Sequence, residues 1–331
     1  MLLLIGWTAG TVSAQPLQRY VFERGLFGTQ FRTMLYAPDS PTAERAKTAV
    51  YARMDTLNGV MSDYLDGSEI NRLSATSGRW VPVSADLFRV LAQAIRIAET
   101  SGGRYDPTVG PLSQLWRRAV RRGTFPMRAE RRRARRSVGY RHVQLDSATR
   151  SVRLLRSGMR LDVGGIGQGF AVDEALTVLH RYGIRAALLD IGGDVRAGDA
   201  PPGTAGWRIA VGSGGQPAAG TLSADTLTLT LRNAAVTTSG DTYRHLDYRG
   251  RRYSHIMNPR SGLGLRHFVR ATVLAPDGTR ADALTKVFSV AGLGQSRRLL
   301  RRFPGAELYI LENKNGRLRS WQSAGFRQRV N

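Results

Sequence analysis

Two short segments of the chain bring together residue types that act on phosphate groups. The first, Ser254 to Gly262, sets His255 in a turn rich in Asn, Pro and Gly, where an imidazole that titrates near neutral pH can serve as a general base. A lone histidine is more often a structural residue. The second, Ala281 to Lys286, places an acid (Asp282), a hydroxyl (Thr285) and an amine at the start of an apolar helix. An acid in a first turn stabilises the helix dipole, and it also suits Mg²⁺, which takes one or two carboxylates beside substrate phosphates.

A third segment, Leu161 to Gly169, places Asp162 at a strand end and then a run of glycines that opens into a helix. Glycines let the backbone approach a ligand closely, and a helix N-terminus presents N–H groups and partial positive charge to phosphate. The spacing differs from the dinucleotide GxGxxG fingerprint and lacks the Gly-Lys-Ser/Thr of a P-loop. On its own the segment predicts equally a phosphate cradle or a tight strand-to-helix turn.

Two further glycine corners carry acids or hydroxyls. The corner from Asp190 to Asp194 favours a hairpin with an Asp-stabilised turn over a ligand-binding corner. The corner from Thr237 to Asp241 sets hydroxyls beside Gly240, which fits either a phosphate contact or a turn cap. Neither corner assigns a function by itself.

Regular elements must hold these segments in place. Alternating apolar residues predict strands over 19–36, a hairpin within 138–162, and strands over 186–191 and 207–211. Helical spacing predicts helices over 40–64, 84–100 and 169–182, with further helices starting near Ala281 and Gln295. Ser40 and Ser68 are the candidate N-caps. Because strands and helices mix without regular alternation, the pattern predicts an α+β fold.

The charge of the chain is strongly positive. Its 331 residues can form one large domain or two small ones, and the net charge of +24 would suit a nucleic-acid binder. The arginines are spread through every region, however, and the densest run, Arg117 to Arg136, predicts solvated helix surface broken at Gly123 and Pro126. A single aromatic residue in that run, Phe125, is too little for a base-stacking platform. We therefore predict no nucleic-acid partner and a preference for anionic ligands or surfaces.

Lysine is rare and cysteine is absent. Lysine occurs three times, at Lys47, Lys286 and Lys314, so arginine is the usual cation of this chain. An ammonium differs from a guanidinium because it is a compact point charge that can lose its proton when buried. The lack of cysteine excludes disulfides, thiolate metal sites, a cysteine nucleophile and a lipoprotein anchor.

The first residues are typical of an export signal. Residues 1–14 combine a short apolar core with the small residues Val12-Ser13-Ala14 before a cleavage point, although the usual positive n-region is missing. The alternative is a buried N-terminal strand or helix. We expect a mature domain over 15–331, located in the periplasm or on the cell-envelope side. No other segment approaches the roughly 20 apolar residues of a membrane span, so no transmembrane segment is expected.

Taken in order along the chain, the motif segments resemble the ApbE family of flavin transferases, the FAD:protein FMN transferases. The resemblance covers essentially the whole mature chain, and many short motifs in a fixed order are far more specific than any one of them. The matching segments are Phe27-Gly28-Thr29, Ser68 to Leu73, Tyr105 to Leu112, Leu161 to Ile166, Ile191 to Asp194, Thr238 to Asp241, His255 to Gly262 and Ala281 to Leu284.

The resemblance implies an α+β fold with mixed, largely antiparallel sheets flanked by helices and an active site between the layers. It also implies an exported enzyme that binds FAD, uses Mg²⁺ at the diphosphate, transfers FMN to a threonine or serine hydroxyl of an acceptor flavoprotein, and releases AMP. His255 and Asp282 would be catalytic, with His255 taking the proton of the acceptor hydroxyl. Gly165 (through its carbonyl), Asp282 and Thr285 would hold the metal. The residues expected at the FAD site are Phe27, Tyr105, Asp106, Pro107, Asp162, Gln168, Ile256 and Lys286.

The chain departs from the family pattern within its motifs. Phe27 replaces the usual Met, Gln168 the common Lys, and Asn258 the Asp of the HxxDP motif. The family's metal-binding threonine, four residues after the aspartate, is replaced by Lys286, with Thr285 one place early. A charged ammonium has no lone pair and cannot ligate Mg²⁺. It would instead set its own positive charge beside the diphosphate; otherwise Thr285 substitutes as the ligand or activity is lost.

Two other activities stay open on the sequence alone. A catalytically silent protein would bind FAD and leave it unchanged. An FAD pyrophosphatase would give FMN and AMP without an acceptor.

Overall fold

The computed structural model describes residues 16–212, 226–239 and 245–330. The predicted export signal over 1–14 lies outside the described residues, as does the end of the Thr237–Asp241 corner. Within the described residues, no helix combines the length and the apolar character needed to cross a membrane.

Strands and helices follow one another irregularly along the described chain. The strands are β1 (Gln18–Leu26), β2 (Thr29–Ala37), β3 (Val81–Pro82), β4 (Val143–Asp146), β5 (Ser151–Leu154), β6 (Ala187–Ile191), β7 (Asp194–Ala197), β8 (Trp207–Gly212), β9 (Thr226–Leu231), β10 (Ala234–Ser239), β11 (His245–Tyr248), β12 (Arg251–Ser254), β13 (Met257–Asn258), β14 (Leu263–Gly264), β15 (Phe268–Ala275), β16 (Glu307–Lys314) and β17 (Arg317–Gln322). The helices are α1 (Ser40–Met61), α2 (Glu69–Ser74), α3 (Ala85–Ser101), α4 (Gly110–Arg122), α5 (Arg128–Arg136), α6 (Gly167–Arg181), α7 (Gly278–Ala291), α8 (Leu293–Leu300) and α9 (Ala324–Arg327).

One large antiparallel sheet organises these elements. Among the described residues it has eight strands in the order β1-β2-β6-β7-β10-β15-β16-β17, and each neighbouring pair is antiparallel. The remaining strands form a small sheet, β3-β5-β4, and the hairpins β8-β9, β11-β12 and β13-β14. The predicted α+β fold with largely antiparallel sheets is confirmed.

The central sheet is buried on both faces. Because successive side chains of a strand point to opposite faces, neighbours such as Val273 and Leu274 enter different cores. The larger core lies between the sheet and the helices α1, α6 and α7. The second core lies under the β8-β9 hairpin and α9. Helices α6 and α7, which carry two of the motif segments, therefore pack on a rigid layer.

Local capping chemistry sets several element boundaries as predicted. The Ser68 hydroxyl accepts a hydrogen bond from the Asn71 N–H (3.3 Å), and α4 ends at Gly123, which has φ +62°. Asp190 stabilises the β6-β7 turn by accepting from the Gly193 N–H at 2.8 Å. The hairpin interpretation of the Asp190–Asp194 corner is therefore confirmed.

Two predicted helix starts were wrong. Asp39, rather than Ser40, caps α1 by accepting a hydrogen bond from the Thr42 N–H at 2.7 Å. Helix α7 begins at Gly278, because the Asp277 carboxylate accepts from the Arg280 N–H at 2.7 Å. Asp282 therefore lies in the second turn, where it is not placed to act on the first-turn N–H groups.

A separate aromatic cluster joins α4 to the β11-β12 hairpin. The ring centroids of Trp116 and Phe125 are 5.4 Å apart, and that of Tyr253 lies 5.7 Å from Trp116 and 4.9 Å from Phe125. The indole N–H of Trp116 also donates to the carbonyl of Gly262 at 3.2 Å. These contacts hold the chain on both sides of His255.

Candidate active site

Helices α6 and α7 cross with their backbones in direct contact. A methyl group on Gly169 would lie 2.1 Å from the carbonyl oxygen of Gly278 and 2.8 Å from Cβ of Asp282. A methyl group on Gly278 would lie 2.6 Å from the carbonyl oxygen of Gly169. Only a residue without a Cβ allows so close an approach. The crossing brings Asp282 to the N-terminus of α6, where the glycine segment begins its helix.

The carboxylate of Asp282 is fully buried and accepts hydrogen bonds on both oxygens. Lys286 donates from Nζ to Oδ1 at 2.5 Å, and the Gly169 N–H donates to Oδ2 at 3.2 Å. Thr285 is fully buried as well, and its hydroxyl donates to the backbone carbonyl of Asp282 at 2.7 Å. The hydroxyl proton of Thr285 is thus used within its own helix.

Gly165, Tyr105 and Lys286 converge beside this carboxylate. A methyl group on Gly165 would lie 3.2 Å from Cγ of Lys286 and 3.3 Å from Cε2 of Tyr105. The hydroxyl of Tyr105 is buried and finds no hydrogen-bond partner among the described residues. Burial, followed by the charge of Asp282, raises the pKa of Tyr105 well above its usual value, so the phenol keeps its proton. A buried donor without a partner is rare in proteins and points to a ligand atom.

Asp194 is a site residue that the sequence analysis did not identify. It begins β7, pairs with Thr237 across the sheet, and is buried. Burial and then Asp282 raise the pKa of Asp194 to about 8, while Lys286 acts in the opposite direction. Burial lowers the pKa of Lys286, but Asp282 and Asp194 together raise it above the ordinary value. The ammonium therefore stays charged between two acids. The available signal was an acid directly after the Gly192-Gly193 turn, at the first position of a strand.

The loop from Tyr105 to Thr108 is tied together by Asp106. Its Oδ1 accepts from the N–H and the hydroxyl of Thr108 (2.9 and 2.6 Å), and its Oδ2 accepts from the Tyr140 N–H at 3.0 Å. Burial raises the pKa of Asp106 against these hydrogen bonds. The Pro107 carbonyl accepts from the Asp162 N–H at 2.8 Å. Asp106 and Pro107 therefore shape the loop that presents Tyr105.

Asp162 is held by a network that includes Arg117. Its Oδ1 accepts from the Gly164 N–H at 2.9 Å, and its Oδ2 accepts from Arg117 at 3.3 Å. Arg117 also pairs with Asp63 at 2.5 Å and lies 4.2 Å from the centroid of the Tyr64 ring. The prediction of solvated surface was therefore wrong for Arg117, whose side chain is only 28% exposed. No local signal marks it, because both acids lie far along the chain.

His255 lies in the turn between β12 and β13 and is exposed. The Ser254 hydroxyl accepts from the Ile256 N–H at 3.0 Å, and the Asn258 side chain accepts from the Arg260 N–H at 3.0 Å. Ile256 itself is buried, with 5% exposure. The turn thus fixes its backbone by its own side chains and leaves the imidazole accessible from outside.

Phe27 and Gln168 lie at the margins of the site. Phe27 occupies the β1-β2 turn with φ +53° and packs partly buried against the larger core. This turn touches the β6-β7 turn, since a methyl group on Gly192 would lie 2.8 Å from the Thr29 hydroxyl. Gln168 is partly buried in the first turn of α6. Neither side chain has the close contacts that join Gly165, Tyr105, Asp282 and Lys286.

The arrangement can hold an anion against one cation and a helix N-terminus. The N-terminus of α6 supplies the positive end of a helix dipole, and Lys286 supplies a positive charge. The N–H groups of Gly167 and Gly169 already donate to the Val163 carbonyl and to Asp282. Within the described ranges, no group of three or more His, Cys, Asp or Glu side chains could hold a metal ion.

Comparison with known proteins finds relatives along nearly the whole chain. The FAD:protein FMN transferase of Treponema pallidum is 32% identical over 328 residues, which cover 92% of this chain and 87% of that protein. The protein of the same name from Haemophilus influenzae is 28% identical and covers 83% of this chain and 81% of its own length.

Solved structures agree in fold. The crystal structure of the ApbE protein from Thermotoga maritima superposes with a TM-score of 0.81 at 27% identity, covering 95% of this chain and all (100%) of that chain. The flavin transferase ApbE from Vibrio cholerae gives a TM-score of 0.83 at 22% identity, over 95% of this chain and 99% of that one, which speaks for the fold alone. The family model described as "ApbE family" matches residues 27–310. The chain belongs to the ApbE family.

Proposed function

We propose that this chain is an FAD:protein FMN transferase, which moves FMN from FAD to a threonine or serine hydroxyl of an acceptor flavoprotein and releases AMP. The observation that carries the proposal is the convergence of Tyr105, Gly165, Asp282 and Lys286 at the N-terminus of α6, inside the family match over 27–310. Relatives named FAD:protein FMN transferase support it.

The reaction exchanges one phosphorus–oxygen bond for another. The acceptor hydroxyl oxygen forms a bond to the phosphorus of the FMN half, and the bond from that phosphorus to the bridging oxygen breaks. AMP leaves with the bridging oxygen, and the hydroxyl proton passes to a base. His255 is the proposed base, because its exposed imidazole can meet a hydroxyl presented by another protein. Such transfer depends mainly on alignment and charge neutralisation.

The FAD site would use the residues around the glycine segment. The N-terminus of α6 would face the diphosphate with the positive end of its helix dipole. The buried Tyr105 hydroxyl would donate to a ligand acceptor. Asp162, Phe27, Gln168 and Ile256 would line the remaining surface, and Asp106 and Pro107 would support the loop that presents Tyr105.

The residues present fit Mg²⁺ poorly. The family resemblance implies a metal held by the Gly165 carbonyl, Asp282 and Thr285. Both oxygens of Asp282 already accept hydrogen bonds, one of them from an ammonium, and the Thr285 hydroxyl donates to its own helix. Mg²⁺ demands near-ideal octahedral oxygen geometry, which this donor set does not supply. No step of the mechanism is therefore assigned to a metal.

The purified chain mixed with FAD and an acceptor flavoprotein tests the proposal. We expect AMP release together with an acceptor that stays fluorescent after denaturation, which reports a covalent flavin. FAD that remains bound and unchanged would favour a silent binding protein. FMN and AMP formed without an acceptor would favour a pyrophosphatase.

Export to the periplasm or cell envelope is part of the proposal. The N-terminal residues 1–14 support it by their signal-like pattern. N-terminal sequencing of the chain from a cell-envelope fraction should give a start at Gln15. A chain that keeps residues 1–14 and stays with the cytoplasmic fraction would contradict it.

A further inference from the structure

The ion pair between Lys286 and Asp282 stands where the diphosphate of FAD is expected. Asp282 is fully buried, and its charge is met by an ammonium one helical turn further along α7, at 2.5 Å. In a chain with 49 basic residues, only three of which are lysines, the cation at this position is a lysine. An ammonium is a compact charge that fits a narrow site, whereas a guanidinium is a planar fork.

The stem of Lys286 passes directly over the glycine segment. Its Cγ and Cε lie 3.2 and 3.4 Å from where a methyl group on Gly165 would be, so any larger residue at Gly165 would displace the lysine. The side chain is 26% exposed although its partner carboxylate is fully buried. The ammonium therefore lies at the boundary between the buried acid and the open side of the site.

The Lys286 ammonium also carries N–H donors that Asp282 does not use. A charged lysine carries three N–H donors, and Asp282 accepts one of them. Two N–H groups are thus available to phosphate oxygens at the start of α6. The acid that Mg²⁺ would need is already neutralised by this pair.

We propose that the Lys286 ammonium, anchored on Asp282, is the resident cation of this site and binds the diphosphate of FAD without a metal ion. The inference rests on the proposed function, because it takes FAD as the ligand. In the reaction, the ammonium offsets negative charge on the diphosphate and on the departing AMP.

FAD titrations, followed by flavin fluorescence, test the inference with the full chain. The affinity of the unaltered chain should be nearly equal in EDTA and in Mg²⁺. Lys286→Met should weaken binding by at least about tenfold in both buffers, which is the effect of losing a charged hydrogen bond. Lys314→Ala, which removes an exposed lysine at the end of β16, is the matched control and should bind FAD normally.

Removal of Lys286 alone leaves a buried carboxylate unpaired, which endangers folding. The double variant Asp282→Asn/Lys286→Met removes both charges and keeps the side-chain volumes, and it should fold and bind FAD as weakly as Lys286→Met. Lys286→Thr should bind FAD weakly in EDTA and regain affinity when Mg²⁺ is added, because the carboxylate is then free to bind the ion.

Two results would overturn the inference: FAD affinity of the unaltered chain that collapses in EDTA and returns with Mg²⁺, or normal affinity in the folded double variant. The acceptor assay separates this failure from that of the proposed function. AMP release that requires Mg²⁺ would contradict the proposed role of Lys286 and would support the transferase activity. Metal-free FAD binding without any AMP release would contradict the transferase activity and would support the proposed role of Lys286.

Discussion

The carboxyl group of Asp194 lies close enough to Asp282 and Lys286 for their charges to shift its titration. Burial and Asp282 raise its pKa from 3.8 to about 8. In the folded chain Asp194 keeps its proton at pH values where the unfolded chain has lost it. The folded state therefore binds more protons than the unfolded state, and the stability contributed by this proton falls as the pH rises toward 8.

Asp194→Asn removes this titration and keeps the shape of the neutral acid. We expect its free energy of unfolding to exceed that of the unaltered chain by more than about 1 kcal/mol above pH 8 and to approach it near the ordinary carboxyl pKa. Urea unfolding across a pH series measures the difference. Asp146→Asn is the control: hydrogen bonds from Thr149 and Ala148 lower the pKa of this exposed acid, so its loss should bring no alkaline gain. Parallel pH profiles for Asp194→Asn and the unaltered chain would contradict the assignment.

Substitution of the exposed His255 tests proton transfer independently of FAD binding. His255→Ala should lower the rate of AMP release in the presence of acceptor by about a hundredfold or more, since general-base catalysis contributes at this scale. The dissociation constant for FAD should stay unchanged. His180→Ala, at the exposed end of α6, provides the matched control. Equal losses of FAD affinity and rate would instead indicate that His255 acts by shaping the turn.

At the scale of elements, the α6–α7 crossing aligns the site. Gly169→Ala would set a methyl group 2.1 Å from the Gly278 carbonyl oxygen, so the helices must separate. We expect a loss of about 2 kcal/mol or more in the free energy of unfolding. FAD affinity should fall as well, because Asp282 moves with α7.

Gly59→Ala is the control for this helix variant. Gly59 lies within α1, and a methyl group added there would have no atom within 4 Å, so the change should stabilise the chain by about 0.5 kcal/mol. Thermal unfolding of both variants, with and without FAD, measures the contrast. A Gly169→Ala variant as stable as the unaltered chain would show that the helices are not held by this contact.

Elements bounded by local chemistry could be predicted from the sequence. The Ser68 cap and the Gly192-Gly193 hairpin need only neighbouring residues, and both are present. The start of α7 was misplaced because Asp277, a better cap, precedes the apolar run. The residues missed were those whose partners are distant: Arg117 meets Asp63 and Asp162, and Asp194 meets α7 only once β7 has paired with β10.

At the scale of the whole molecule, the sheet order could not be predicted from the pattern of residues. Strand β2 pairs with β6, and β7 pairs with β10, across long intervening segments. The pattern of apolar residues along a strand shows which faces are buried but identifies no neighbouring strand. The family resemblance predicted the architecture instead, because a chain that carries the family's motifs in the same order is expected to share the family's fold.

Stability should be distributed unevenly over the molecule. Strands β6, β7, β10 and β15 lie inside the central sheet with cores on both faces, whereas α5 has no buried residue. We expect amide hydrogen exchange to be much slower in these strands than in α5, with opening free energies that differ by several kcal/mol. Exchange followed by mass spectrometry measures this order. Protection of α5 equal to that of β15 would contradict it.

The contact between Gly169 and Gly278 also limits how the site can move. Helices separated by side chains slide as rotamers change, but these two touch through backbone atoms and have no such layer between them. The glycine segment and the Lys286–Asp282 pair therefore keep a fixed position relative to each other. The turn that carries His255 is held separately, by the aromatic cluster around Trp116.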